Sequence, residues 1–324
     1  MENQYLPEGL LLGTARCREL TASLAGLRRA MEEGAIVEGM AVMCDASLDL
    51  HVRFPALPDA EGIIPRREVV FARPGETVKD IAILTRVGKA VAFRVLSVGE
   101  PDEAGQVRVT LSRRLAQEEC AARFMSALMP GDVVRGRVTH MEPFGAFVDV
   151  GCGLSSLMSV DAISVSRIDH PHDRLYNGQL IWAAVRAVDA SGRLFLSMRE
   201  LLGTWEQNAA RFRAGQTVVG IIRSVEEYGI FVELTPNLAG LCELRDCDRR
   251  RIEAMKGRTA GVFIKSIIPE RMKVKLVLID GSAGDVPPQP RLDYFIRGDE
   301  VTHIDRWVYS PACAGKRVET VFGS

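Results

Sequence analysis

Two short segments each place a pair of aromatic rings around a glycine: Phe144-Gly145-Ala146-Phe147 and Tyr228-Gly229-Ile230-Phe231. An aromatic ring standing on a strand surface is a flat, rigid plate, and its chemistry is stacking against another planar group. Phe144 and Tyr228 open their strands at a loop edge, where a large exposed ring reads as a ligand surface. Phe147 and Phe231 lie inside apolar runs and suit core or surface equally. The glycine after the first ring is expected to let the backbone turn and a ligand come close.

Other constellations carry less. His170-Pro171-His172-Asp173 offers two imidazoles and a carboxylate without a second ligand cluster nearby, so no metal is expected. Gly151 and Gly153 follow a strand but open no helix, and they read as a turn. The seven cysteines are scattered and never spaced as CxxC, which argues against a zinc ribbon and a disulfide framework. There is no nucleophile motif, no Walker lysine loop and no paired acidic cluster of nuclease type. The chain therefore reads as a binding protein without a cofactor, not as an enzyme.

The aromatic segments belong to a longer internal repeat. The stretch from Met129 to Val150 echoes the stretch from Arg213 to Leu234, aligning Gly131, Gly136 and Gly145 with Gly215, Gly220 and Gly229 at an offset of 84. Each copy divides into five short strands rich in valine, isoleucine and phenylalanine, in the first copy near 132–141, 145–150, 155–160, 179–188 and 193–198. A longer insert follows the third strand, which is the layout of an OB-fold barrel. Residues 35–114 form a third, degenerate copy that lacks the aromatic strand.

The expected fold is thus mainly β: tandem five-stranded OB-fold barrels joined by short helical linkers. The chain divides into an N-terminal helical segment at 1–34, a degenerate barrel at 35–114, a helical linker at 115–129, a barrel at 130–199, a second linker at 200–212 and a barrel at 213–280. Residues 8–33 read as one amphipathic helix, and Trp205 as an anchor between barrels. Residues 281–324 form a linker and a tail with too few strand-like pieces to fold alone, so the tail is expected to dock on a neighbour.

Of 324 residues, 47% are hydrophobic and 26% charged, a globular composition. No apolar run is long enough to span a bilayer, and Glu2 and Glu8 stand where a signal peptide carries positive charge, so a cytoplasmic protein without a membrane partner is expected. The net charge of −1 argues against tight non-specific binding to duplex DNA. Its distribution is uneven, because residues 211–280 hold thirteen basic against nine acidic side chains. A polyanion should meet that segment first.

The stretch from Gly131 to Gly151, closed by Leu194-Phe195-Leu196-Ser197-Met198-Arg199-Glu200, resembles the S1 RNA-binding domain. The likeness covers 129–200 and 213–280 closely and 35–114 more distantly, and the whole layout resembles the three-repeat ribosomal protein S1-like proteins of Firmicutes. The resemblance implies that Phe144, Phe147, Tyr228 and Phe231 contact single-stranded RNA. It places Ser159, and in the other copy Glu243, where the family has a histidine. Arg135, Arg137, Arg186 and Arg193 are then the phosphate-contact candidates of one barrel. Arg223, Lys265, Arg271, Lys273 and Lys275 are those of the other, with Arg249, Arg250 and Arg251 on an inserted loop that otherwise reads as solvated. The implied function is mRNA binding in translation, with the 30S ribosomal subunit as a partner. Two alternatives stand beside it: an S1-fold protein-interaction adapter, and an RNA-binding accessory of an RNA degradation or transcription complex.

Overall fold

In the computed structural model, which describes residues 4–73, 75, 77–243, 254–280 and 292–323, the chain forms three closed five-stranded barrels. The first contains β1 (Ile36–Cys44), β2 (Leu50–Arg53), β3 (Ala60–Ile64), β4 (Ala90–Val98) and β5 (Val107–Ser112). The second contains β6 (Val133–Glu142), β7 (Gly145–Gly151), β8 (Leu154–Ser159), β9 (Leu180–Val188) and β10 (Leu194–Ser197). The third contains β11 (Thr217–Glu226), β12 (Gly229–Thr235), β13 (Leu238–Glu243), β14 (Thr259–Ile268) and β15 (Lys273–Asp280). In each, the first three strands form an antiparallel meander, and the third pairs in parallel with the fifth to close the ring. This is the OB architecture that the sequence repeat predicts.

The three barrels share a local device in their first strands. A Cβ built on Gly39, Gly136 or Gly220 would fall 2.5, 2.3 or 2.4 Å from the Cγ1 of Val52, Val148 or Val232 on the second strand. Only glycine lets the first strand cross that closely. A bulge follows in each case, between Ala41 and Met43, Val138 and His140, and Ile222 and Ser224. Alternating valines and isoleucines such as Val91, Val109, Val148, Ile181, Val232 and Val262 fill the barrels and are almost fully buried.

The N-terminal segment departs from the single helix expected over 8–33. A 3-10 turn at Leu11–Gly13 precedes two helices, Ala15–Thr21 and Leu24–Glu33. Ser23 interrupts the run because its hydroxyl caps the second helix by accepting the Gly26 N–H at 3.0 Å. A Cβ on Gly26 would lie 2.7 Å from the Leu20 carbonyl, so this residue type also lets the two helices fold tightly together.

Between barrels run a helix at Arg113–Arg123 and a shorter one at Trp205–Ala209, the latter opened by a capping box of Thr204 and Gln207. Trp205 is buried together with Ile304, Trp307, Tyr309 and Phe322 of the C-terminal segment. That segment forms a hairpin of β16 (Arg306–Val308) and β17 (Glu319–Val321). It is fixed to the second barrel by the Asp132–His303 pair at 2.6 Å and to the third by a 2.6 Å hydrogen bond from the Tyr309 hydroxyl to the Asn237 carbonyl. The expected linker at 281–290 and the run Arg249–Arg251 lie outside the described residues. Among the described residues, no helix is long and apolar enough to cross a membrane.

Candidate nucleic-acid interface

Strand register places the aromatic residues on the outer face of two barrels. In the second, cross-strand pairing sets His140, Phe147, Leu157 and Phe195 in one row across four strands. In the third, the corresponding row is Ser224, Phe231, Leu241 and Lys275. In the first it is Met43, His51, Ile63 and Thr110. The same bulge precedes each row, so the three rows occupy equivalent places.

Phe144 and Tyr228 stand in the turns before β7 and β12, beside these rows, 56% and 63% exposed. Each meets the half-buried ring behind it edge to face. The Phe144 and Phe147 centroids are 6.1 Å apart at 87°, and those of Tyr228 and Phe231 are 6.2 Å apart at 89°. The outer ring is thereby held upright by the inner one, an arrangement that aromatic quadrupoles favour. The inner rings are half-buried, between core and free surface, and the outer rings stand edge to face against them.

The glycine between them has a different reason from the expected one. A Cβ on Gly145 or Gly229 would lie 2.5 Å from the carbonyl oxygen of Met158 or Cys242 on the neighbouring strand. The close approach is by the next strand's backbone.

Two members of the second row were missed from sequence. His140 stacks on Phe147 at 6.1 Å and 24°, and its Nε2 lies 2.7 Å from a Glu142 carboxylate oxygen. Phe195, 37% exposed, extends the row at its far end. The bulge after Val138 breaks the period-two alternation, so the sequence pattern assigns His140 to no particular face. The closing strand is only four residues long and gives no alternation to read.

The cationic candidates separate into two groups. Lys273 and Lys275 are exposed on β15 and Lys265 on the bulge of β14; Lys275 lies 3.8 Å from Glu243. Arg193 is exposed in the turn before Phe195, and Arg186 lies 3.8 Å from Asp161. Arg271 is exposed in the turn before Lys273. Ser159, opposite Gly145, hydrogen-bonds the Asp161 carboxylate and is the foremost cause of that group's lowered pKa.

Arg135, Arg137 and Arg223 are not on the aromatic faces. The Arg135 guanidinium lies over the Trp182 ring, 5.7 Å from its centroid. Arg137 donates to the Gly178 carbonyl at 3.1 Å beside the N-terminal segment. Arg223 is enclosed in an ion cluster, 2.8 Å from Glu233 and 3.2 Å from Asp173, and Arg174 also pairs with Glu233. Arg135 is exposed beside the C-terminal segment, while neighbouring segments engage Arg137 and Arg223. Asp173, the carboxylate of the His170–His172 segment, is engaged by the same arginine. The two histidine rings stack on each other at 4.6 Å, and among the described residues no cluster could hold a metal ion.

The first barrel has no platform. His51 occupies the place of Phe147 and lies 2.8 Å from Glu61 and 3.5 Å from Asp45. Those contacts, Glu61 first, raise its pKa above the ordinary histidine value. Met43 and Leu96 are exposed on this barrel, and Thr110 stands in the row where the third barrel has Lys275.

Residues 127–199 match the family described as S1 RNA binding domain. The small ribosomal subunit protein bS1 of Leuconostoc lactis is 35% identical over 233 residues, covering 70% of this chain and 52% of that protein. The bS1 homologues of Bacillus cereus and Bacillus subtilis are 32% and 31% identical over 172 and 171 residues, each covering 51% of this chain and 44% of the relative. The chain spans about half the length of the curated relatives it matches. The barrels, the aromatic rows and these likenesses agree: residues 127–199 form an S1 RNA-binding domain, and the chain is similar to bacterial small ribosomal subunit protein bS1.

Proposed function

We propose that this protein binds single-stranded RNA across the outer faces of its second and third barrels. We place that activity in translation, where it holds unstructured mRNA as an associate of the small ribosomal subunit in the cytoplasm. The observation that carries the proposal is the duplicated edge-to-face pair, Phe144 on Phe147 and Tyr228 on Phe231, with the outer ring exposed in both. Unpaired bases expose π-faces, and each base stacked on such a ring gains on the order of 1–3 kcal/mol. Duplex bases are already stacked, so the faces select single strands.

Around the rings, His140 and Ser159 offer hydrogen-bonding groups, while Arg193, Lys265, Lys273 and Lys275 supply charge for the phosphates. The ribosomal names of the relatives and the description of the matched family support the translational setting.

The test is titration of a fluorescent single-stranded RNA into wild-type protein and into the Phe144→Ala, Tyr228→Ala double variant. The double variant should bind much more weakly while keeping its thermal unfolding temperature. Equal affinities would remove the aromatic platforms from the account. Sedimentation with small ribosomal subunits, with and without the same substitutions, tests the setting separately.

A further inference from the structure

A cavity of about 610 Å³ lies between the first and second barrels, and its lining includes Glu8, Arg86, Lys89, Arg137, Asp149 and Asn177. Four buried side-chain polar atoms among the described residues lack a hydrogen-bond partner, and two of them, Arg86 Nε and Arg137 Nε, belong to residues of this lining. A buried N–H left unpaired is unfavourable, more so on a cation. Arg86 reaches Glu8 only at 3.6 Å. Neither Arg137 nor Lys89 forms an ion pair among the described residues.

The carboxylates nearby are already engaged. Glu8 receives a fork from Arg113 at 2.6 and 3.0 Å and a further N–H from Ala92 at 3.1 Å. Asp149 accepts the N–H groups of Glu8, Gly151 and Gly153 at 2.7, 2.9 and 3.0 Å. Glu38, behind the lining, accepts those of Gly9 and Leu12 at 2.8 and 2.9 Å. Burial pushes the Asp149 and Glu38 carboxyls up to about 7, which leaves them only partly charged at neutral pH. The lining itself sets three cations, Arg86, Lys89 and Arg137, against two carboxylates, Glu8 and Asp149, so positive charge is in excess here.

We propose that this inter-barrel cavity is an anion site that takes a phosphate group, held by the guanidinium groups of Arg86 and Arg137 with Lys89 at the rim. Guanidinium donors suit a tetrahedral oxyanion, since each can present parallel N–H bonds to two oxygens. The Asn177 side chain stands at the same cavity as a further donor. The phosphate has two sources: a small free phosphate compound, or one backbone unit of a bound RNA. The site is separate from the aromatic rows and goes beyond the RNA-binding reading.

The full chain is titrated with inorganic phosphate, against chloride at matched ionic strength, and followed by thermal unfolding and calorimetry. Phosphate should raise the unfolding temperature of the wild type, and Arg137→Met should weaken its binding by about tenfold or more. Lys89→Met, at an exposed rim position, should weaken it less while leaving the fold intact. The Phe144→Ala, Tyr228→Ala variant should bind phosphate as the wild type does, which separates this proposal from the platform proposal. If the source is RNA, Lys89→Met also lowers the salt dependence of RNA affinity and phosphate competes with RNA; if it is a free compound, RNA affinity is unchanged. No phosphate-specific effect on the wild type, together with RNA binding indifferent to both substitutions, would overturn the assignment.

Discussion

Arg223 and Glu233 are paired at 2.8 Å across β11 and β12, and Arg174 from the insert of the second barrel pairs with the same carboxylate. One acid thus holds two buried guanidinium groups together at the seam between two barrels. Glu233→Ala strands Arg174, leaves Arg223 only Asp173, and should destabilise by about 3–5 kcal/mol. Arg223→Ala leaves Glu233 still paired with Arg174 and should lose only about 1–3 kcal/mol. Urea unfolding midpoints of the two variants give the ranking, and the reverse order would contradict this account of the seam.

The exposed rings should behave differently from their supports. Phe144→Ala alone should weaken RNA binding by about 1–3 kcal/mol with no change in unfolding temperature. Phe147→Ala should lose binding and stability together, because that ring is half-buried and carries both Phe144 and His140. Paired binding and melting measurements separate the two.

Charge on the third barrel should show in the salt dependence. Each lysine among Lys265, Lys273 and Lys275 that contacts a phosphate contributes about 0.7 to the slope of log affinity against log salt. Replacing all three by alanine should flatten the slope, and replacing Arg223 should not, because its charge is already committed to Glu233 and Asp173. An unchanged slope in the triple variant would remove them from the interface.

His51 supplies a pH dependence. Its pKa is raised in the folded protein, chiefly by Glu61, so the protonated form is favoured by folding. The resulting stability is complete below the ordinary histidine value, about 6.5, and fades as pH rises through the higher folded value. Its size should be below ~1 kcal/mol, since Glu61 is nearly half exposed. His51→Phe should abolish the slope between neutral and mildly alkaline pH, as read by unfolding of the first barrel.

Trp307 joins the C-terminal hairpin to the core shared with Trp205. Trp307→Ala should destabilise by about 3–5 kcal/mol, comparable to removing a core aromatic elsewhere. Its indole nitrogen has no hydrogen-bond partner among the described residues, so Trp307→Phe should be far better tolerated. Thermal unfolding of both variants checks the comparison.

The barrels were legible because the same five-strand pattern recurs at a fixed offset, and repetition filters out local ambiguity. Phe144 and Tyr228 were legible for a related reason, since a ring beside a loop has no core to enter. The roles of Arg135, Arg137 and Arg223 were not legible. Arg137 and Arg223 are engaged by segments remote in sequence, the N-terminal segment and the loop bearing Asp173 and Arg174, and Arg135 is drawn over Trp182 of a later strand. Local pattern carries no record of such contacts. His140 escaped for the opposite reason, because a bulge turned it onto a face that simple alternation does not predict. The break at Ser23 depended on a single cap, which the helical composition around it concealed.

The hairpin that grips Asp132 on one barrel and Asn237 on the next has a consequence for any strand bound by both. Once the first platform is occupied, the second is met at an effective concentration set by the bridged geometry instead of by free diffusion. Affinity should then rise abruptly at the RNA length that first spans both barrels, and cutting the bridge should turn that step into a slope.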